Sequence, residues 1–448
     1  MISRKSLAAA LALSLAACGG DSSGTSAPPP TGGGNPTPTP TNTAPSFTSA
    51  DTASARQADE GVIYTASATD ADGDPVTFQL AGGADAARFV INPETGSLVL
   101  AQASGQTPTG DLAVTLEADD GRGGVTQLAL VVTVDSSVTS GNIIISTPGP
   151  SPTPTPTPPP SPGSGPPPPP PPMDMRVDTQ IDRGIHYAFA NGDAGEEILR
   201  FDHYFPIGNT ADLPLIVIAH GGAFVGGDKT DLDELATDLV GRGFAVAAID
   251  YRLIQNANIS ADDLAIGAAR ATHDLFGAVR FLRANSDQFL IDPDRIFVGG
   301  VSAGGVMASV AATLDANDTV SNSALADFLA ANGGVFGEVG ENDATSSAIS
   351  GALSVAGAVL DLGTIDSNDA PVFMAHFELD SVVPCETGSE GALGTGLIVS
   401  GSCAMQPRLN GAGVPNDLFL VAGQDGHTNF SRDQINTFLN QAVALFGI

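Results

Sequence analysis

Residues 136–172 set the first limit on what this chain can fold into. They contain 16 of its 33 prolines and end in an unbroken run from Pro166 to Pro172. Proline has no N–H to give to a helix or a sheet ladder, and it biases the residue before it toward extended backbone. The segment reads as polyproline II, a semi-rigid spacer of ~3.1 Å per residue. No single hydrophobic core can run through it, so the 448-residue chain is expected to fold as separate pieces on either side. Residues 19–43 make a second break. They are Gly, Ser, Thr and Pro without apolar periodicity, which reads as a flexible tether.

Before that tether, Arg4 and Lys5 precede an apolar run from Leu7 to Leu15. The run is too short to span a bilayer and has the form of an export signal, residues 1–18. Its end, Leu15-Ala16-Ala17-Cys18, resembles the bacterial lipoprotein signal, which implies lipidation of Cys18 and, with Gly19 next, an outer-membrane anchor. Full secretion after a small-residue cleavage site is the alternative. If Cys18 carries lipid, Cys385 and Cys403 remain, and in an oxidising compartment an even remainder reads as one disulfide; two buried free thiols are the other option. The net charge is −33, from 50 acidic and 17 basic residues. Such a chain repels nucleic acid, which is excluded as a partner.

Residues 44–135 show short alternating apolar runs, among them Val76 to Leu80, Phe89 to Ile91, Leu112 to Leu116 and Leu128 to Val134, punctuated by Gly, Asp and Pro. Strands at this spacing predict a small all-β sandwich. The phrases Ala44-Pro45-Ser46-Phe47, Ala68-Thr69-Asp70-Ala71-Asp72, Thr95-Gly96-Ser97-Leu98 and Ala118-Asp119-Asp120-Gly121 resemble cadherin-like repeats. That resemblance implies calcium at Asp70 and Asp72, whose carboxylates are the hard donors calcium takes. A turn rich in Asp and Gly is the other reading, since the family's Leu-Asp-Arg-Glu segment is missing after Leu100. As a role, a spacer or an adhesion module in contact with a surface or a polysaccharide is expected rather than catalysis.

From residue 173 to 448 the pattern changes. Apolar strands at 215–219, 244–249, 295–301, 352–359, 371–375 and 418–422 alternate with helical segments at 230–242, 260–284 and 303–314 and a last helix from Ser431. Residues 181–206 read as a leading antiparallel hairpin. This alternation predicts an α/β fold, a mainly parallel sheet with helices on both faces.

Gly300-Val301-Ser302-Ala303-Gly304 is a G-x-S-x-G motif. The motif alone is weak, since Gly20-Asp21-Ser22-Ser23-Gly24 also matches and lies in the tether. Ser302, however, follows an expected strand and opens an expected helix, the sharp turn that exposes a nucleophilic hydroxyl above a sheet. His220-Gly221-Gly222-Ala223 follows the first long strand and resembles the oxyanion loop of lipases and esterases, with Ala in place of the last Gly. It implies that the backbone N–H groups of Gly221, Gly222 and Ala303 stabilise a developing oxyanion. His220 itself reads as structural. His376 to Pro384 resembles the H-G-x-x-D-x-x-V-P segment and makes Asp380 the acid, with Asp361 as competitor. His427 follows the last strand, where the base belongs.

With Asp250-Tyr251-Arg252 and Asp292-Pro293-Asp294-Arg295-Ile296, these phrases resemble the secreted esterase/lipase branch of the α/β-hydrolase fold related to hormone-sensitive lipase. The resemblance covers residues 200–448. It implies a serine carboxylic-ester hydrolase using Ser302, Asp380 and His427 in two-step acyl transfer, with no cofactor required. Short-to-medium acyl esters, and esters linked to a polyester or acylated polysaccharide, are the expected substrates. An amidase or peptidase using the same triad, or a non-catalytic adhesion protein, are the alternatives. His186, His203 and His273 show no metal-ligand spacing and no metal is expected. Residues 315–348 and the loop 385–403 are expected to border the acyl and alcohol pockets.

Overall fold

The computed structural model describes residues 42–102, 107–136, 177–340 and 344–448. The export signal with Cys18, nearly all of the tether and the proline segment lie outside them. The sheet that positions the candidate site has eight strands: β1 (Thr179–Gly192), β2 (Gly195–Pro206), β3 (Leu213–Ala219), β4 (Ala245–Ile249), β5 (Ile291–Val301), β6 (Ala352–Val355), β7 (Val372–Phe377) and β8 (Asn416–Val421). Their spatial order is β1-β2-β4-β3-β5-β6-β7-β8. β1 pairs antiparallel with β2 and β2 with β4, and the pairs from β4 through β3 to β8 are parallel. This is an α/β-hydrolase-like fold.

The central strands are apolar on both faces because helices cover both. In β3, Leu215, Val217 and Ala219 join one core layer and Ile216 and Ile218 the other, the period of two that a strand requires. The first layer packs under α2 (Ala261–Ala284) and α3 (Ala303–Thr313), the second under α1 (Asp233–Val240) and the C-terminal helix, Arg432–Phe446. Helix α2 starts at a reciprocal cap: the Asp263 N–H donates to Ser260 Oγ (3.1 Å) and the Ser260 N–H to Asp263 Oδ2 (2.9 Å). Ser431 and Gln434 cap the C-terminal helix in the same way.

The expected strand 352–359 is broken. Ala356 adopts φ 52°, and the chain turns so that Ala358–Val359 pairs with Ile398–Gly401, which in turn pairs with Thr387–Ser389. Helix Ser402–Ala412 follows this small sheet with Pro407 inside it, a residue that normally argues against a helix. Cys385 and Cys403 are bonded to each other across it.

Residues 46–135 form their own apolar core between a sheet of Thr52–Arg56, Val125–Asp135, Gly110–Asp119 and Thr77–Gly82 and a second of Tyr64–Thr65, Ser97–Leu100 and Phe89–Ile91. This β-module packs directly on β1 and β2. The His186 N–H donates to Ala101 O (2.9 Å), and Asn92 and Thr95 donate to Glu196. Buried Arg200 donates to Glu60 O (3.0 Å), Leu100 O (3.1 Å) and Gly184 O (2.7 Å). The wide separation that the proline segment would permit is thus not used.

The Asp70 carboxylate accepts N–H groups from Asp72 and Asp74, and Asp72 accepts the Thr43 N–H, the bonding of a tight acidic turn. Among the described residues no group of three or more His, Cys, Asp or Glu side chains is placed to hold a metal ion. Asp70 Oδ2 and Asp74 Oδ2 are nevertheless buried without a hydrogen-bond partner among these residues, so the turn keeps carboxylate oxygens of the kind calcium takes.

Candidate active site

The register of the parallel strands brings distant residues to one end of the sheet. Ala219 of β3 pairs with Gly300 of β5, so the chain leaves both strands side by side, one as His220-Gly221-Gly222 and the other as Val301-Ser302. Phe377 of β7 pairs with Val421 of β8, so the loops carrying Asp380 and His427 also leave adjacent strands.

Ser302 has φ 56° and ψ −117°, a backbone state that non-glycine residues rarely adopt. The surrounding backbone holds it there. The Ser302 N–H donates to Val355 O (2.8 Å) and the Gly304 N–H to His220 O (3.1 Å). A Cβ at Gly300 would lie 2.5 Å from Ala219 O, and one at Gly304 would lie 2.0 Å from the same atom. The two motif glycines are therefore required by close backbone approach. The N-terminus of α3 stands behind the serine, where its dipole favours negative charge.

The His427 Nε2 and Ser302 Oγ are 2.7 Å apart, and His427 Nδ1 is 2.7 Å from Asp380 Oδ2. The Asp380 carboxylate can only accept at neutral pH, so Nδ1 carries the proton and Nε2 is left to accept from the serine hydroxyl. Asp380 Oδ1 accepts the N–H groups of Val382 (2.8 Å) and Val383 (3.0 Å). Burial opposes its charge, but hydrogen bonds from His376, His427 and the Val383 N–H outweigh this and hold its carboxyl well below the usual carboxylate range. The Asp380 side chain is 0% exposed and that of His427 21%, so the carboxylate is sealed while the imidazole is partly open to solvent.

His376 is a residue the sequence reading named only within its motif. It is fully buried, with Nδ1 2.8 Å from Ser402 Oγ and Nε2 2.9 Å from Val383 O and 3.5 Å from Asp380 Oδ2. It ties the acid loop to the helix that carries Cys403. The signal for it was its place at the end of a strand, directly before the loop. Asp361 is remote from this chain of bonds: it caps the short turn Leu362–Thr364 by accepting the Gly363 N–H (2.7 Å).

The N–H groups of Gly221, Gly222 and Ala303 have no protein acceptor among the described residues. A Cβ on Gly221 would lie 3.2 Å from Ser302 Cβ, which shows how closely this loop approaches Ser302. Ala223 and Phe224 have φ 53° and 63°, so Ala223 takes the left-handed state that Gly would take without strain. His220 is buried, stacked on Tyr251 with ring centroids 4.3 Å apart, and Tyr251 Oη donates to His220 O (2.9 Å), a structural role.

The remaining histidines are packing residues. His186 and His203 lie in β1 and β2, and His273 lies in α2 stacked on Phe328. Burial pulls their pKa values down to about 3, 4 and 4, so they are neutral. Asp274, next to His273 in the chain, forms a buried pair with Arg252 (Nη2 to Oδ1, 2.6 Å), which fixes the Asp250-Tyr251-Arg252 segment to α2.

A family model matches this chain: BD-FAE, over residues 201–333. The match takes in the loop His220-Gly221-Gly222-Ala223 and Ser302 and ends before Asp380 and His427. Among curated proteins, the isoprenylcysteine alpha-carbonyl methylesterase ICME of Arabidopsis thaliana is 33% identical over 112 residues, which is 25% of this chain and 24% of that protein. Esterase LipI of Mycobacterium tuberculosis is 34% identical over 103 residues, 23% of this chain and 29% of that protein. The chain thus spans about a quarter of the length of the curated relatives it matches. Among solved structures, a truncated carbohydrate esterase from gut microbiota superposes with a TM-score of 0.46 at 17% identity, covering 62% of this chain and 99% of that one. Esterase Est2 of Thermogutta terrifontis gives a TM-score of 0.42 at 17% identity over 61% of this chain and 94% of its own.

Proposed function

We propose that residues 173–448 are a serine carboxylic-ester hydrolase. One observation carries the reading: Ser302, His427 and Asp380 are joined by two successive 2.7 Å contacts beside a loop with free N–H groups. In this mechanism Ser302 Oγ attacks the ester carbonyl while His427 Nε2 takes its proton. The carbonyl oxygen becomes an oxyanion facing the Gly221, Gly222 and Ala303 N–H groups; each such donor is worth about 3–4 kcal/mol in the transition state. His427 then protonates the leaving alcohol. Water attacks the acyl-serine by the same route in reverse roles and frees the acid. Asp380 keeps the imidazole in the required tautomer and stabilises the imidazolium.

Short acyl chains are the preferred substrates in this reading. The cavity beside Ser302 has a volume of about 50 Å³ and an almost wholly apolar lining, including Phe224, Val306 and Val383. The loop 385–403 supplies Glu390, Leu397 and Val399 to it. Among the described residues none of 315–348 lines it, a departure from the expected border of the acyl pocket. We further assign residues 44–135 as a cadherin-like sandwich, and the chain as exported and anchored through Cys18 at the outer membrane, where polymer-linked esters are within reach. The form of residues 1–18 supports that assignment.

The test is hydrolysis of p-nitrophenyl esters from acetate to palmitate by the full chain and by Ser302→Ala. Turnover that is highest on short chains and is lost in the variant is the expected result. A folded wild-type chain that cleaves none of them removes the ester reading.

A further inference from the structure

The cavity beside Ser302 stops at a wall, and a second apolar cavity lies behind it. The second, of about 40 Å³, lies among Val310, Leu314, Leu325 and Leu329. Two residues line both cavities: Ala268 on α2 and Leu360, just past the short strand Ala358–Val359. Ala268 is the smaller and is fixed in the helix. Leu360 is only partly buried and packs against two separate apolar groups, the main core and the cluster of Ala269, Leu325 and Leu329. Its side chain therefore stands between the two spaces.

The direction of the substrate follows from the base. The leaving alcohol must depart next to His427 Nε2, which protonates it. His427 does not line the cavity that Ser302 and Ala303 line. The acyl chain, on the other side of the carbonyl, is the part that points toward Leu360. The cavity's one carboxylate does not oppose an apolar chain. Glu390 Oε1 accepts from the Thr395 N–H (2.6 Å) and hydroxyl (2.8 Å), and Oε2 from the Leu393 N–H (2.9 Å), so its charge is spent on its own loop.

We propose that Leu360 is the specificity-determining end wall of the acyl pocket, and that removing its side chain joins the two cavities into one channel for medium-chain acyl groups. This rests on the ester-hydrolase reading above. The experiment compares kcat/KM on p-nitrophenyl acetate, butyrate and octanoate for the full chain, Leu360→Ala, and Leu360→Ala combined with Val310→Phe, which refills the far cavity. The octanoate-to-acetate ratio should rise at least about tenfold in the single variant, since each methylene newly accommodated by an apolar pocket is worth a large factor. It should fall back toward the wild-type ratio in the double variant. A ratio within about twofold of wild type in folded Leu360→Ala overturns the wall. Should that variant not fold, Leu360→Val is read in its place: a rise in the ratio supports the wall and no rise overturns it. A wild-type chain that hydrolyses none of the three esters overturns the ester reading, and this proposal with it. Hydrolysis with a ratio indifferent to position 360 overturns the wall alone.

Discussion

Two carboxylic acids show how environment, rather than residue type, sets a role. Asp380 is sealed, and its Oδ1 is occupied by two backbone N–H groups, so only Oδ2 is left for His427. Asp380→Asn keeps the shape but can turn an amide N–H toward Nδ1, which selects the wrong tautomer. We expect kcat to fall about 10⁴-fold with KM little changed; steady-state kinetics on a short ester would show it, and a fall of tenfold or less would place the acid elsewhere. Asp369 has the opposite setting. Burial, and then repulsion from Asp366, Asp318 and Asp315, push its pKa up to about 7. A raised folded value means that its contribution to stability is complete below the unfolded value of about 4 and is lost as pH rises toward 7. Asn at this position can still accept the Asp366 N–H that Asp369 Oδ2 accepts at 3.0 Å. Asp369→Asn should therefore match wild type in Tm near pH 4 and exceed it near pH 8. Parallel Tm curves across that range would show that Asp369 does not titrate there.

At the scale of elements, the sequence was legible where a repeating physical rule governs it. Buried parallel strands must be apolar on both faces, so 215–219 and 244–249 stand out. Reciprocal caps marked the starts of α2 and the last helix. The small sheet that carries Val359, with Leu360 just past it, could not be read. Its strands are two to four residues long, too short for any period, and its first member follows a break at Ala356-Gly357, where a single glycine inside an apolar run does not by itself mark a turn. Helix Ser402–Ala412 was hidden by Pro407. Yet this hidden region is what holds the acid loop, through Ser402 to His376 and through Cys385, which follows Pro384 directly. The Cys385–Cys403 bond closes a separation of 18 residues. By loop entropy it is worth roughly 3 kcal/mol. Replacing both with Ser should lower Tm. It should also lower kcat more than KM, because the loop it restrains bears Asp380. An unchanged kcat alongside a lower Tm would separate the bond from the acid loop and leave it a purely stabilising tie.

At the scale of the whole molecule, the proline segment misled in one respect: it permits separation but does not require it. What decides is a buried cation. Arg200 is 1% exposed on β2, between the hydrolase-like sheet and the β-module, and burial pulls its pKa down to about 10. Its N–H groups take one carbonyl from its own hairpin, Gly184, and two from the module, Glu60 and Leu100. Residues 173–448 alone would keep the first bond and would hydrate the rest. In the docked chain Arg200→Ala removes the one charged donor that these three carbonyls share. Hydrogen bonds to a charged group contribute about 1.5–3 kcal/mol each, so a loss of roughly 3 kcal/mol is expected in the full chain. The same substitution in residues 173–448 alone should cost much less. Calorimetry on the four proteins gives the coupling directly. A cost that is the same with and without the module would mean that the two parts do not dock in solution, and that the β-module acts as a spacer. A cost confined to the full chain would mean that the β-module is part of the enzyme's stability, so that any surface it binds is held at a fixed position relative to Ser302.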